Sequence, residues 1–207
     1  DNIQKLYLLD RPTLETFLEF KLGPKNLLIT FHPVTLENAT SAKQMTELLE
    51  ALETLEDTHL IFTMPNADTD SRVLIDMIEQ FVSGRPNAKA FTSLGQLNYL
   101  SCIKNVDGVV GNSSSGLTEA PSFAKGTINI GDRQRGRLKA KSVIDCDPEQ
   151  KSIAAALRKL YSKQFLLELE TVQNPYGGGG ASKKIVKILQ DYSLESILKK
   201  PFHNLEY

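Results

Sequence analysis

The sequence predicts an α/β chain built on a doubly wound, Rossmann-like parallel sheet, and three observations carry that prediction. Short continuous apolar runs recur along the chain, as in Asn26–Phe31 and Leu60–Met64. Helix-like stretches with apolar residues about 3.6 positions apart separate them. No internal repeat and no Pro/Ser-rich linker interrupts the alternation before residue 162. Apolar runs alternating with amphipathic helices are the pattern of parallel strands covered on both faces.

Taken in order, residues 1–22 carry amphipathic helix material (Ile3, Leu6, Leu8, Leu9, Leu14, Phe17, Leu18) with no strand before it, and read as a linker helix region leading from an upstream domain. The domain proper is expected over 23–162. Its first β-α unit is Asn26–Phe31, introduced by Gly23-Pro24, with a helix over Ala39–Leu55. The second is Thr58–Met64 with a helix over Asp70–Val82, where Val73, Leu74, Met77, Ile78 and Phe81 share one face. Weaker strands follow at Ala88–Phe91, Val106–Val110, Thr127–Ile130 and Ser142–Asp145, with helices at Gln96–Lys104, Leu117–Phe123 and Glu149–Tyr161. Residues 163–204 are expected to form a helical tail packed on the domain, with Lys183–Gln190 as its clearest helix. Ahead of that helix runs Asn174-Pro-Tyr-Gly-Gly-Gly-Gly180, either a flexible connection or a place where backbone approaches an anionic ligand.

Composition bounds the function. A chain of 207 residues can bury its own core, and 41% hydrophobic with 24% charged residues excludes disordered and coiled-coil classes. With 24 Lys and Arg against 25 Asp and Glu the net charge is −1, so no global field recruits a polyanion and nucleic-acid binding is disfavoured. The two cysteines, Cys102 and Cys146, stand singly, as reduced thiols of a cytoplasmic protein would. No apolar run approaches bilayer length, so no membrane role is expected. No GxGxxG follows the first strand and no His/Cys/Asp cluster has ligand spacing, so neither a nicotinamide nor a metal is called for. Asp68 and Asp132 read as turn residues rather than magnesium ligands.

In an open parallel sheet, ligands bind beyond the carboxyl ends of the strands. Four polar segments lie there: His32-Pro-Val-Thr35, Pro65-Asn-Ala-Asp68, Gly111-Asn-Ser-Ser-Ser-Gly116 and Gly131-Asp-Arg-Gln-Arg-Gly-Arg137. The third offers hydroxyls and free backbone N–H groups for phosphate oxygens, or else a serine cap for the following helix. Glu119 in the next turn either closes a capping interaction with Ser115 or Gly116, or accepts from ribose hydroxyls. The fourth concentrates three guanidinium groups, which match phosphate bidentately when they are not merely solvated. His32, aimed outward by Pro33, is a candidate donor or acid, whereas His59 and His203 read as structural or surface residues.

Together, Thr30-Phe-His-Pro-Val-Thr35, Gly111-Asn-Ser-Ser-Ser-Gly-Leu-Thr-Glu-Ala-Pro121 and Asn129-Ile-Gly-Asp-Arg-Gln-Arg-Gly-Arg137 closely resemble the hydrolysing UDP-N-acetylglucosamine 2-epimerases of sialic acid biosynthesis. The likeness runs from about Asn26 to Lys199 and covers only the second half of that family. It implies the second domain of a glycosyltransferase B fold, with UDP and UDP-N-acetylglucosamine as ligands, no cofactor, and a missing N-terminal domain as partner; it leaves a homo-oligomer open. By the same resemblance, Ser113 and Ser114 hold the diphosphate, Glu119 the ribose and Arg133 a phosphate. Leu94 lies beside the uracil, Asn66 lines the sugar-diphosphate side, and His32 assists the leaving UDP. The family's proton-moving carboxylates belong to the absent half, so this chain is expected to be inactive alone. Two alternatives stay open: an epimerase acting on a UDP-diacetamido sugar, and the nucleotide-binding half of a glycosyltransferase.

Overall fold

A computed structural model describes residues 2–34, 40–65 and 71–195. The chain order is α1 (Asn2–Lys5), α2 (Arg11–Leu18), β1 (Lys25–Thr30), α3 (Ser41–Glu53), β2 (Thr58–Thr63), α4 (Ser71–Val82), β3 (Ala88–Phe91), α5 (Gly95–Asn105), β4 (Gly108–Gly111), α6 (Ser115–Thr118), a 3₁₀ turn (Ala120–Phe123), β5 (Gly126–Ile130), β6 (Val143–Cys146), α7 (Gln150–Leu160), α8 (Lys163–Leu169) and α9 (Ala181–Asp191). The six strands form one sheet, all parallel, in the order β3-β2-β1-β4-β5-β6. The strand order reverses between β1 and β4, and in such sheets that switch point opens a crevice at the carboxyl edge.

Successive strand residues face opposite sides, and the core divides accordingly. Leu27, Ile29, Phe62, Val110 and Ile128 pack on one face with α3, α4, α7 and α8. Leu28, Ile61 and Val109 pack on the other with α2 and α5. Both faces being dry explains why the strands read as unbroken apolar runs.

The ends of the chain differ from expectation. The linker helix expected over 1–22 is two short helices, because Asp10 caps a new start: its carboxylate accepts from the Thr13 N–H at 3.0 Å, with Pro12 in the first turn. Leu14 and Leu18 of α2 are then buried against the α5 face. In the tail, α8 buries Phe165 and Leu169, whereas α9 buries none of its side chains. Of the helical tail expected to pack on the domain over 163–204, α8 does so and α9 does not: the apolar stripe Ile185, Val186, Ile188 and Leu189 stays exposed, and 196–204 lie outside the described residues. Val73 likewise is exposed on α4, so the buried face there narrows to Leu74, Ile78 and Phe81. The helix expected over Leu117–Phe123 is α6 followed by a tighter 3₁₀ turn, because Pro121 has no N–H with which to continue an α ladder.

Candidate functional site

The register of the three central strands brings their carboxyl ends level. Thr30 lies opposite Thr63 on one side and Gly111 on the other, and the Thr30 and Thr63 hydroxyls share a hydrogen bond of 2.6 Å. Gly111 is required where β1 and β4 meet. Its φ is +135°, and a Cβ there would stand 2.0 Å from the Thr30 carbonyl oxygen. The chain can therefore turn from β4 into Asn112 directly beside the end of β1.

Asn112, 1% exposed, fastens the loops of this edge to one another. The His32 N–H donates to its Oδ1 and its Nδ2 donates to the His32 carbonyl, both at 2.8 Å. Its own carbonyl accepts from Arg133 Nη1 at 3.0 Å and from Gln134 Nε2 at 2.8 Å. Thus the loops after β1, β4 and β5 meet at one buried amide.

A cleft of about 420 Å³ opens above this junction, and His32, Leu94, Ser113 and Glu119 all line it. Leu94 closes one side as the residue that starts α5, its side chain buried and its backbone at the turn. Ser113 and Ser114 are half-buried; Ser113 Oγ accepts from the Ser115 N–H at 3.4 Å, and the Ser114 carbonyl takes the first backbone N–H groups of α6. Among the described residues, the backbone N–H groups of Ser113 and Ser114 donate to no protein acceptor, which leaves two donors at the mouth of the turn. Glu119 accepts the Ser115 hydroxyl through Oε2 and lines the cleft; this is a side-chain contact, and the capping interaction expected there is not made, since no side chain among the described residues caps α6.

The arginine loop is divided by the structure. Arg133 reaches back to the Asn112 carbonyl and does not itself line the cleft, nor does Ser114. Arg135 and Arg137 instead border a second cavity, about 670 Å³, with Lys139, Asp145 and Cys146; it shares no lining residue with the first. The three guanidinium groups therefore do not converge on one point. Asn66, Thr35, Asp68 and His203 lie outside the described residues. His59 Nδ1 bonds the Lys21 carbonyl at 2.7 Å, a structural contact. Gly177, Gly178 and Gly179 are exposed and Gly180 is half-buried. The loop before them is tied down, with Asn174 Nδ2 donating to the Thr118 carbonyl at 2.8 Å and Tyr176 Oη to the Leu138 carbonyl at 3.1 Å.

Thr30, Ser115 and Tyr99 are among the lining residues that the sequence reading did not assign to the site. The only signal available for them was place, Thr30 and Ser115 lying inside recognised motifs and Tyr99 one turn into a helix after a strand. Among the described residues, no group of three His, Cys, Asp or Glu could hold a metal ion, and no helix is long and apolar enough to cross a membrane. Burial pushes the Cys102 and Cys146 thiols up to about 12, Asp147 and Asp145 adding to the effect at Cys146, so neither is a thiolate nucleophile at neutral pH.

Comparison with known proteins gives the chain a family and a fold. The family profile described as UDP-N-acetylglucosamine 2-epimerase matches residues 3–190. A "GDP/UDP-N,N'-diacetylbacillosamine 2-epimerase (hydrolyzing)" of Campylobacter jejuni is 39% identical over 205 residues, which are 98% of this chain and 53% of that protein. The "Polysialic acid biosynthesis protein P7" of Escherichia coli is 36% identical over 179 residues, 84% of this chain and 46% of that one. Among solved structures, S. aureus MnaA with UDP superimposes with a TM-score of 0.69 at 18% identity, covering 93% of this chain and 50% of that one, a likeness of fold. The chain thus spans about half the length of the relatives it matches.

Proposed function

Because the chain belongs to the UDP-N-acetylglucosamine 2-epimerase family, we propose that it is the UDP-gripping half of a hydrolysing epimerase that turns UDP-N-acetylglucosamine and water into N-acetylmannosamine and UDP. The observation that carries this reading is the convergence of His32, Leu94, Ser113 and Glu119 on one cleft at the switch point of the sheet. Hydroxyls and unpaired N–H groups suit a diphosphate, a carboxylate suits a vicinal diol, and a backbone edge beside Leu94 suits the uracil. Arg133 contributes positive charge from behind the Ser113–Ser114 turn and, with Gln134, holds that turn in place.

In this reading the C1–O bond of the sugar breaks and its electron pair leaves with UDP, while a base outside this chain removes the C2 proton. His32 favours departure by donating to the leaving diphosphate. Water then adds across the resulting glycal double bond, placing a hydroxyl on C1 and a proton on C2. The chain alone binds UDP without turnover, since the proton-moving carboxylates that the family resemblance implies belong to the half this chain does not span. A second reading, with a UDP-diacetamido sugar as substrate, is favoured by the 39% identity to the Campylobacter jejuni protein; the nucleotide grip is the same in both.

Calorimetric titration of the chain with UDP, with CMP and inorganic phosphate as controls, tests the grip. Saturable UDP binding that is lost or much weakened in Ser113→Ala is the expected result. Binding unchanged in that variant removes the diphosphate assignment.

A further inference from the structure

Tyr99 stands on α5 with its ring half-buried and its hydroxyl sealed from solvent, and that hydroxyl makes no hydrogen bond. It borders the same cleft as Thr30, Ser113, Ser115 and Glu119. Two of the neighbouring hydroxyl groups are already engaged: Ser115 Oγ donates to Glu119, and the Thr30 and Thr63 hydroxyls bond one another. Burial raises the phenol above its ordinary range, and the charge of Glu119 acts in the same direction against the hydroxyls of Ser115, Thr30 and Ser113. Tyr99 is therefore a neutral O–H donor without an acceptor, a costly state for a buried group. Of the hydroxyls around the phenol, that of Ser115 acts on it most strongly, and Ser115 Oγ is already a donor to the carboxylate.

We infer that Tyr99 is a positioning residue of this cleft, the head of a hydroxyl chain running Tyr99 to Ser115 to Glu119 that aims the Glu119 carboxylate at the two ribose hydroxyls of a bound nucleoside diphosphate. The inference rests on the reading of Glu119 as the ribose acceptor. Among the described residues only the Ser115 side chain donates to the Glu119 carboxylate, which leaves Oε1 open to a ligand. A small rotation of the Ser115 hydroxyl keeps its hydrogen on Glu119 and turns a lone pair to Tyr99. Each O–H in the chain then polarises the next, and the carboxylate loses the freedom to swing from the diol. No proton changes owner, and ligand binding supplies the order that the free cleft lacks.

The experiment compares UDP with 2′,3′-dideoxyuridine diphosphate, which lacks both ribose hydroxyls, in the wild-type chain, Tyr99→Phe, Ser115→Ala and the double variant. The wild type should prefer UDP by about tenfold or more, as expected for hydrogen bonds to a charged group. Tyr99→Phe should cut that preference by about threefold to tenfold while leaving affinity for the dideoxy analogue unchanged. Ser115→Ala should do the same, and the double variant should lose no more than Ser115→Ala alone, because the two act in series. Full preference in Tyr99→Phe, equal loss of both ligands, or additive losses in the double variant would overturn the chain. A wild-type protein that binds UDP and the dideoxy analogue equally would instead overturn the ribose assignment of Glu119, and this proposal with it.

Discussion

Asn112 and His32 hold each other by two reciprocal hydrogen bonds, the His32 N–H to Asn112 Oδ1 and Asn112 Nδ2 to the His32 carbonyl, each 2.8 Å long and sheltered from water. The side-chain amide thus continues, for one residue, the ladder that β1 and β4 make through their backbones. It also ties the position of the only cleft-lining histidine among the described residues to the turn that carries Ser113.

Replacing Asn112 with Ala should cost about 2–4 kcal/mol of stability, since two part-buried hydrogen bonds to the His32 backbone are lost. Asn112→Asp keeps the acceptor but sets a carboxylate oxygen against the His32 carbonyl, so it should fare no better near neutral pH and should recover in part on acidification, when a protonated acid can donate. Urea denaturation of both variants at two pH values checks this.

Gly111→Ala should destabilise the chain by at least about 1–3 kcal/mol from backbone strain alone, because a Cβ would be forced into the Thr30 carbonyl at a positive φ. Thermal melting reads the loss. A variant as stable as the wild type would show that β1 and β4 do not meet as closely as this geometry requires.

Both thiols should resist modification at neutral pH. Their folded values of about 12 lie above the ordinary value of 9.0, so the native state disfavours the thiolate. The sign follows: the unfolded chain gives up protons first, so the stability contributed by the neutral thiols is whole below about pH 9 and is lost as pH rises through about 12. A thiol reagent should label Cys102 and Cys146 rapidly only in denaturant, and Cys→Ser substitution at Cys146 should flatten part of the alkaline loss.

Replacing Ile185, Val186, Ile188 and Leu189 together with polar residues should leave the melting temperature within about 2 °C of the original chain, because α9 contributes no buried side chain. The same replacement should reduce self-association in sedimentation, since it removes the exposed apolar stripe.

The first two β-α units were legible within a residue or two, because Asn26–Phe31 and Thr58–Met64 are apolar on both faces and the helices after them keep a clean stripe. The ends were not. Residues 1–22 look like one amphipathic segment until Asp10 and Pro12 are seen to restart it, and α9 carries as good a stripe as the buried helices while burying nothing. A helical pattern records which face is apolar, and nothing in it says whether a surface exists to cover that face.

By itself, the sequence determined the parallel α/β architecture and the family, and it marked the carboxyl-edge loops as the candidate site, because apolar periodicity and short motifs are local properties that survive without coordinates. The tertiary structure decided which members of those loops meet. It gathered His32, Leu94, Ser113 and Glu119 on one cleft, turned Arg133 onto the Asn112 carbonyl, sent Arg135 and Arg137 to another cavity, and set Tyr99 on the same cleft as Ser115 and Glu119. These are contacts between segments many residues apart, set by strand order and register, and a loop's composition cannot state where its side chains will find a partner.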